Sequence, residues 1–133
     1  MKPIVIDTGI WISALVFQGT PGHAVKKASA EYMIAIATEI YEEIVDVLHR
    51  PKFARRVNPL LTIELLDSIL KESSAWFALR GTVTDCPDPK ENKFLDCALV
   101  AGAGLILSSD RHLRRMDPYH GIRIMNPQEF LLL

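Results

Sequence analysis

Short apolar segments suited to buried strands alternate along this chain with longer segments of helical pattern. The strand-like segments are PIVID at 3–7, YMIAIA at 32–37, LILSS at 105–109 and IRIM at 122–125. Strands that are separated by helices pair in parallel, through right-handed crossover connections. The sequence therefore predicts an α/β fold with three layers, α/β/α, in which the central layer is a parallel sheet.

Helical patterns fill most of the intervals between these strands. The predicted helices cover residues 11–17, about 22–30, 39–49, 62–79 and 92–103, and PQEFLL at 127–132 forms a closing helical cap. Thr38 and Thr62 are candidate N-caps, and Pro51 stops the helix that precedes it. A short strand or an extended link is expected at 82–84.

Length and composition exclude several classes of protein. A chain of 133 residues is most simply one domain, 1–133, with 49% hydrophobic and 23% charged residues. No apolar run approaches the roughly 18 residues that span a bilayer, and Asp7 interrupts the short apolar stretch near the N-terminus. We therefore expect a cytoplasmic protein. The cysteines and histidines lack zinc-type spacing, and a net charge of −1 gives no overall sign of nucleic-acid binding.

Two aspartates directly follow predicted strands. Asp7 ends PIVID and is followed by the hydroxyl of Thr8. Asp110 follows LILSS, whose last residue is Ser109. In an open parallel sheet, ligands bind in the crevice outside the carboxyl ends of the strands. Either aspartate could instead cap the next helix, but two at equivalent strand ends favour a shared site.

A third acid lies in the helix predicted at 39–49. At about 100° per residue, Glu43 falls beside Val47, roughly 40° outside the apolar stripe, and so can lean into a cleft. Glu42 falls opposite the centre of the stripe and should face water. For Glu43 itself, a solvated surface charge is the alternative.

A fourth acid, Asp96, lies within the helix predicted at 92–103, which is apolar almost all round. A buried carboxylate needs a partner, and either a metal ion or a basic side chain would supply one. Asn92 lies one turn earlier on the same face, so the two side chains can converge on one ligand. An ion pair of Asp96 with Lys93 or Arg111 is the alternative.

These four acids form the predicted site. Asp7, Glu43, Asp96 and Asp110 supply only carboxylate oxygens, which are the ligands that Mg²⁺ or Mn²⁺ prefers. We therefore predict that they are both the metal ligands and the catalytic residues of a small metal-dependent phosphodiesterase, which holds one or two ions.

Basic residues are clustered although the net charge is close to zero. Arg50, Lys52, Arg55 and Arg56 lie in HRPKFARR, and Arg111 begins RHLRR. We predict that these side chains bind phosphates of a nucleic acid. A solvated face with ion pairs is the alternative.

Nearly the whole chain resembles PIN-domain ribonucleases, in the branch of the VapC-like toxins of toxin–antitoxin modules. The resemblance is carried by VIDTGIWISAL, EIYEEIVDVLHRPKF, DPKENKFLDCALVAGAGLILSSDRHL and NPQEFL. It implies an α/β/α fold, Mg²⁺- or Mn²⁺-dependent cleavage of single-stranded RNA, and a small antitoxin protein that binds by a helix in a groove. We also expect a homodimer, the commonest assembly, and no membrane partner.

The family motifs match particular residues of this sequence. Asp7 matches the first aspartate and Thr8 its adjacent hydroxyl, while Asp110 matches the final aspartate. Ser108 stands where the family often has threonine. Glu43 matches the glutamate of the second motif, although the neighbouring Glu42 leaves that assignment ambiguous.

The third acid of the motif is less clear. Asn92 stands where related proteins often have an aspartate, and this branch often adds an acid at the position of Asp96. Asp88 and Glu91 also match acidic positions of the branch. We expect Asp96 to be the ligand, with Asn92 as a neutral second ligand and Asp88 or Glu91 in reserve.

Other functions fit the sequence less well. Gly9 replaces a common asparagine of the family, and together with Asn92 it favours a degenerate PIN-fold module that binds RNA or protein without catalysis. An aspartyl phosphohydrolase would need a second acid in the Asp-Thr-Gly segment at 7–9. A phospho-receiver domain would need an acidic pair beside the first strand and a late lysine, and neither is evident.

Overall fold

The computed structural model describes residues 1–133, and it has a five-stranded sheet flanked by helices. In chain order the elements are β1 (Pro3–Ile6), α1 (Thr8–Val16), α2 (Gly19–Glu31), β2 (Met33–Ile36), α3 (Thr38–Leu48), α4 (Pro51–Ala54), α5 (Pro59–Ser73), β3 (Ser74–Trp76), a 3-10 turn (Pro89–Glu91), α6 (Asn92–Ala101), β4 (Leu105–Leu107), α7 (Arg111–Arg114), β5 (Arg123–Met125) and α8 (Pro127–Leu131).

All neighbouring strands pair in parallel, in the order β3-β2-β1-β4-β5. β1 lies in the centre, where Ile4, Val5 and Ile6 are at most 1% exposed. Such a strand is covered on both faces, which is why its sequence is a continuous apolar run rather than an alternating one. The predicted three-layer α/β/α fold with a central parallel sheet is confirmed.

The prediction of one helix over 62–79 is wrong from residue 74 onward. α5 ends at Ser73, and the next three residues form β3, which pairs with β2. Trp76 and Phe77 extend the apolar pattern of α5, but a run this short does not distinguish helix from strand. Pairing with the open edge of β2 satisfies the backbone instead. The strand or link expected at 82–84 is a loop without strand pairing.

The helix boundaries differ from prediction where caps decide them. α1 begins at Thr8, three residues before the predicted start, because Asp7 caps it. α3 ends at Leu48, and Pro51 begins the unpredicted short helix α4, where a proline at the first position is favourable. A second unpredicted short helix is α7. None of the helices combines the length and the apolar character that crossing a membrane requires.

Candidate active site

Pairing of β1 with β4 brings the two strand-end acids to the same edge of the sheet. Ile6 is in register with Leu107, and the N–H of Asp7 donates to the carbonyl of Leu107 at 3.0 Å. Asp7 follows the last residue of β1 and Ser108 follows the last residue of β4, so both lie at the carboxyl ends of their strands. Because the two strands are parallel neighbours, the crevice predicted for the site lies here.

Asp7 is 4% exposed and acts as the N-cap of α1. Its Oδ1 accepts the N–H of Ile10 at 2.8 Å. A capping aspartate is held in one orientation by its own helix, and its second oxygen remains available as a ligand. A Cβ atom on Gly9 would lie 3.6 Å from Asp7 Oδ1, so this glycine keeps the neighbourhood of the carboxylate open.

Asp110 is the N-cap of α7 in the same manner. Its Oδ1 accepts the N–H groups of His112 at 2.9 Å and Leu113 at 3.0 Å. The N–H of Asp110 donates to Oγ of the fully buried Ser108 at 3.0 Å. Ser108 also bonds to Asp7, so this hydroxyl connects the two acids.

Two further acids complete the group at the start of α6. One carboxylate oxygen from each of Asp88, Glu91 and Asp110 lies within 4.8 Å of the others. Asp88 caps the 3-10 turn through the N–H of Lys90 at 3.2 Å, and Glu91 directly precedes α6. A group of carboxylate oxygens with no histidine or cysteine is the donor set that Mg²⁺ or Mn²⁺ binds.

Asp7, Glu91 and Asp110 border an open cavity of about 330 Å³. Its lining is mostly polar and combines the N-terminal part of α1 with the start of α6 and the end of β4. The lining residues are Asp7, Thr8, Gly9, Ile10, Ser13, Pro21, Glu91, Phe94, Ser109 and Asp110. The cavity has room for a hydrated cation and part of a substrate.

Burial and mutual repulsion raise the pKa values of two of these acids. Burial, together with the charges of Asp110 and Glu43, raises the pKa of Asp7 to about 6, although hydrogen bonds from Ser108 and Ile10 act in the opposite direction. Burial also raises the pKa of Glu91 to about 7, with Asp110 and Asp7 acting in the same direction. Carboxylates that resist ionisation next to one another mark a place where a bound cation is favourable.

Glu43 reaches this region from the middle of α3. The hydroxyl of Thr8 donates to Glu43 Oε1, and Lys93 Nζ lies 3.0 Å from Oε2. Glu42 is exposed. The structure thus turns Glu43 toward the acids and Glu42 toward solvent, as the helical periodicity predicts.

Asp96 and Asn92 lie outside the cluster of Asp88, Glu91 and Asp110, and both side chains bind backbone N–H groups. Asp96 is 3% exposed, and its oxygens accept the backbone N–H groups of Arg80 at 3.2 Å and Gly81 at 2.8 Å. Asn92 Oδ1 accepts the N–H of Cys86 at 2.8 Å. Backbone amides are thus the hydrogen-bond partners of this buried carboxylate, and no basic side chain forms an ion pair with it. The reserve pair Asp88 and Glu91 stands in the cluster instead.

The predicted phosphate-binding residues divide into two places. Arg111, exposed, is adjacent to Asp110 at the start of α7. The other four lie on or beside α4. Arg50 pairs with Asp46 at 3.5 Å, and Arg55 Nε donates to the Pro51 carbonyl at 3.1 Å. Lys52 Nζ lies 5.4 Å from the centre of the Phe53 ring, and the Arg56 guanidinium lies 5.0 Å from the centre of the Phe17 ring. Arg50 lies two residues beyond the end of α3, the helix that carries Glu43.

The sequence analysis gives Glu91 only a reserve place among the acids of the site, and it does not predict the contact of Lys93 with Glu43. The signal for Glu91 was available, because acids just before a helix start are held by that start, and Asp88-Pro89 marks such a boundary. Lys93 lacked a comparable signal. Its contact with Glu43 joins residues that are 50 positions apart, on α6 and α3.

Comparison with known proteins concerns the family and the fold of this chain. The family model described as PIN domain matches residues 3–112. A crystal structure of VapBC2 from Rickettsia felis, bound to a DNA fragment from their promoter, is similar with a TM-score of 0.62 and 12% identity. The match covers 93% of this chain and 98% of that chain. At this identity the structural likeness establishes the fold alone. No curated protein gives a match.

Replacing Asp7 by asparagine should stabilise the metal-free protein at alkaline pH. The folded-state pKa of Asp7, about 6, exceeds the ordinary value of 3.8. The protonated carboxyl therefore makes its full contribution to the stability of the fold below about pH 4, and this contribution is lost as the pH rises through 6. The loss is on the order of 3 kcal/mol. An asparagine side chain at this position keeps a capping oxygen without the charge.

We expect Asp7→Asn to raise the Tm in EDTA by roughly 5 °C or more at pH 8, and by less at pH 5. Thermal melts followed by circular dichroism measure this. Glu64→Gln, which removes an exposed charge on α5, is the control and should change the Tm little. A lower Tm for Asp7→Asn at pH 8 would contradict the electrostatic account.

Substitution of Asp96 should affect stability and not metal binding. Asp96→Ala leaves the N–H groups of Arg80 and Gly81 without their acceptors, at a cost of about 2–4 kcal/mol in urea unfolding. Asp96→Asn keeps one acceptor oxygen and should cost less. Titration with Mn²⁺ should give folded Asp96→Asn an affinity within about 3-fold of the parent protein, whereas a loss beyond 10-fold would make Asp96 part of the metal centre.

Proposed function

The chain belongs to the PIN-domain family, and we propose that it is a metal-dependent endoribonuclease, the toxin of a toxin–antitoxin pair. The observation that carries this proposal is the convergence of Asp7, Glu91 and Asp110 on one open cavity, with Asp88 clustered beside Glu91 and Asp110. Their mutual repulsion is relieved by a divalent cation, and PIN domains are generally nucleases. We infer Mg²⁺ or Mn²⁺ from the oxygen-only donor set.

The side chains divide the work of phosphodiester hydrolysis among them. Asp110, Glu91 and Asp88 would hold the cation, with Asp7 beside them across the cavity. When bound, the cation supplies a water of lowered pKa and positive charge for the phosphate. Ser108 keeps Asp7 and Asp110 in fixed relation through its buried hydroxyl. Asp7, with its raised pKa, is placed to accept a proton from a water in the cavity.

Single-stranded RNA is the substrate that the surface supports. Arg111 is exposed and directly follows Asp110, which borders the cavity. The rings of Phe17 and Phe53 lie 6.3 Å apart, with Arg56 over the Phe17 ring and Lys52 over the Phe53 ring. Aromatic faces interleaved with cations suit unpaired bases and their phosphates. A strand could therefore pass from Arg111 over the acids toward this basic patch.

An antitoxin is the partner that we propose for a groove between α1, α2 and α5. The groove, about 470 Å³, is lined by apolar side chains that include Leu15, Val25, Leu65 and Ile69. Leu65 is 52% exposed, and Leu60 and Leu61, earlier on α5, are more so. An amphipathic helix of a small antitoxin fits such a surface. The fold shared with VapBC2 supports this partner, a homodimer is our proposed assembly, and the cytoplasm is the proposed location.

Purified protein should cut a labelled single-stranded RNA at pH 8 with Mn²⁺ or Mg²⁺, and EDTA should stop the reaction. The alkaline pH ensures that Glu91, whose pKa is raised to about 7, is ionised. Asp110→Asn retains a capping residue but loses a ligand, so the rate should fall by at least about 100-fold, beyond the usual cost of an outer-shell change.

The matched control is Glu64→Gln, which should cleave at the parent rate. Gel analysis of the labelled products measures all three proteins. Cleavage by Asp110→Asn at the parent rate would refute the site. If the folded parent protein neither cleaves RNA nor binds Mn²⁺, the non-catalytic module that binds RNA or protein becomes the better description.

Expression of the parent protein in a bacterial host should arrest growth if it is a toxin. Asp110→Asn, expressed to the same level on immunoblots, should allow normal colony formation because it lacks cleavage. Colony counts after induction measure the effect. Equal growth arrest by both proteins would show that the toxicity does not depend on the acidic site.

A further inference from the structure

One ammonium group stands among the acids of the candidate active site. Lys93 lies in the first turn of α6, and its Nζ is 3.0 Å from Glu43 Oε2. The same Nζ donates to the carbonyl of Lys90, one turn earlier. The Lys93 side chain is 18% exposed and that of Glu43 29%, so both charges are partly withdrawn from water. This ion pair is far better defined than a surface pair between flexible side chains.

The acids consequently separate into two groups. Asp88, Glu91 and Asp110 form a cluster whose oxygens lie within 4.8 Å of one another, and no basic side chain pairs with any of them. Glu43 instead has both oxygens engaged, one by Thr8 and one by Lys93. The first group has no cation of the chain paired with it, whereas Glu43 is paired with Lys93.

We propose that Lys93 takes the place of a second cation, holding Glu43 and limiting the centre to one divalent ion. The proposal rests on the metal-dependent function proposed above and specifies its stoichiometry. Two-metal nuclease sites need carboxylates on both sides of the phosphate. Here the carboxylate on the α3 side is neutralised by a tethered charge that cannot diffuse away. Lys93 is therefore a positioning residue for Glu43.

The electrostatic consequences favour this division. Loss of Lys93 would leave Glu43 as an unpaired, half-buried carboxylate close to Asp7 and Glu91, whose charges already repel one another. An uncompensated charge in such surroundings is costly, and binding of a further cation relieves it. Lysine has three N–H donors, of which Glu43 and Lys90 take two. The third donor remains for a substrate phosphate.

Titration of the metal-free, full-length protein with Mn²⁺ at pH 8 tests the proposal by calorimetry. The parent protein should bind one Mn²⁺ per chain, and Lys93→Met should bind two, because Glu43 becomes free to act as a ligand. Methionine retains an apolar stem beside the Phe94 ring, over which Lys93 Nζ lies 5.3 Å from the ring centre. The double variant Lys93→Met with Glu43→Gln should return to one.

Two controls separate charge from position. Lys90→Met removes an exposed lysine three residues earlier and keeps the carbonyl that Lys93 contacts, so it should bind one ion. Lys93→Arg retains the positive charge and should also bind one. In RNA cleavage, the rate should rise with the first power of Mn²⁺ concentration in the parent protein, and with a higher power in Lys93→Met.

Binding of two ions by the parent protein, or of one by folded Lys93→Met, overturns the proposal. Binding of none by the parent protein overturns the metal-dependent function itself, which distinguishes the two failures. If circular dichroism shows that Lys93→Met does not fold, Glu43→Gln serves alone. It should keep one ion with an affinity within about 3-fold of the parent, since Glu43 is not a ligand, and a loss beyond 10-fold overturns the proposal.

Discussion

Parallel pairing of β1 with β4 is the constraint on which the rest of the site depends. The register of Ile6 with Leu107, extended by the hydrogen bond from Asp7 to Leu107, sets two strand ends side by side. Each end continues directly into a helix that an aspartate caps. The backbone of the buried sheet thus determines the separation of the acids, while the helix N-termini determine their orientation. A change of register would disperse both.

The site concentrates negative charge at some expense of stability. Asp7 is almost fully buried and Glu91 is partly so, and both have raised pKa values because burial and neighbouring acids oppose their ionisation. Functional sites commonly retain such unfavourable arrangements, for which the remainder of the fold compensates. In our proposal the compensation is divided between a cation from solution and the ammonium group of Lys93, which pairs with Glu43.

The positions of Asp7, Asp110 and Glu43 were accessible from the sequence because each follows from a local rule. The first two end apolar runs, and the third follows from the helical wheel. Asp96 shows where such reasoning fails. A buried carboxylate was correctly expected to have a partner, but the partner proved to be the backbone at Arg80 and Gly81, which no side-chain pattern marks. β3 was missed for a related reason, because pairing with the edge of β2, rather than local preference, decided its conformation.

The attachment of the loop before Asp88 to α6 has a consequence for motion. Asp96 binds the loop at Arg80 and Gly81, and Asn92 binds it at Cys86. Both anchors are side chains of one helix, although the loop has no strand partner of its own. Loop and helix therefore form one cooperative unit, in which the loop cannot open widely unless α6 also loosens. Asp88, which follows this loop, is thus coupled to α6, whose residues from Phe94 to Ala98 are buried.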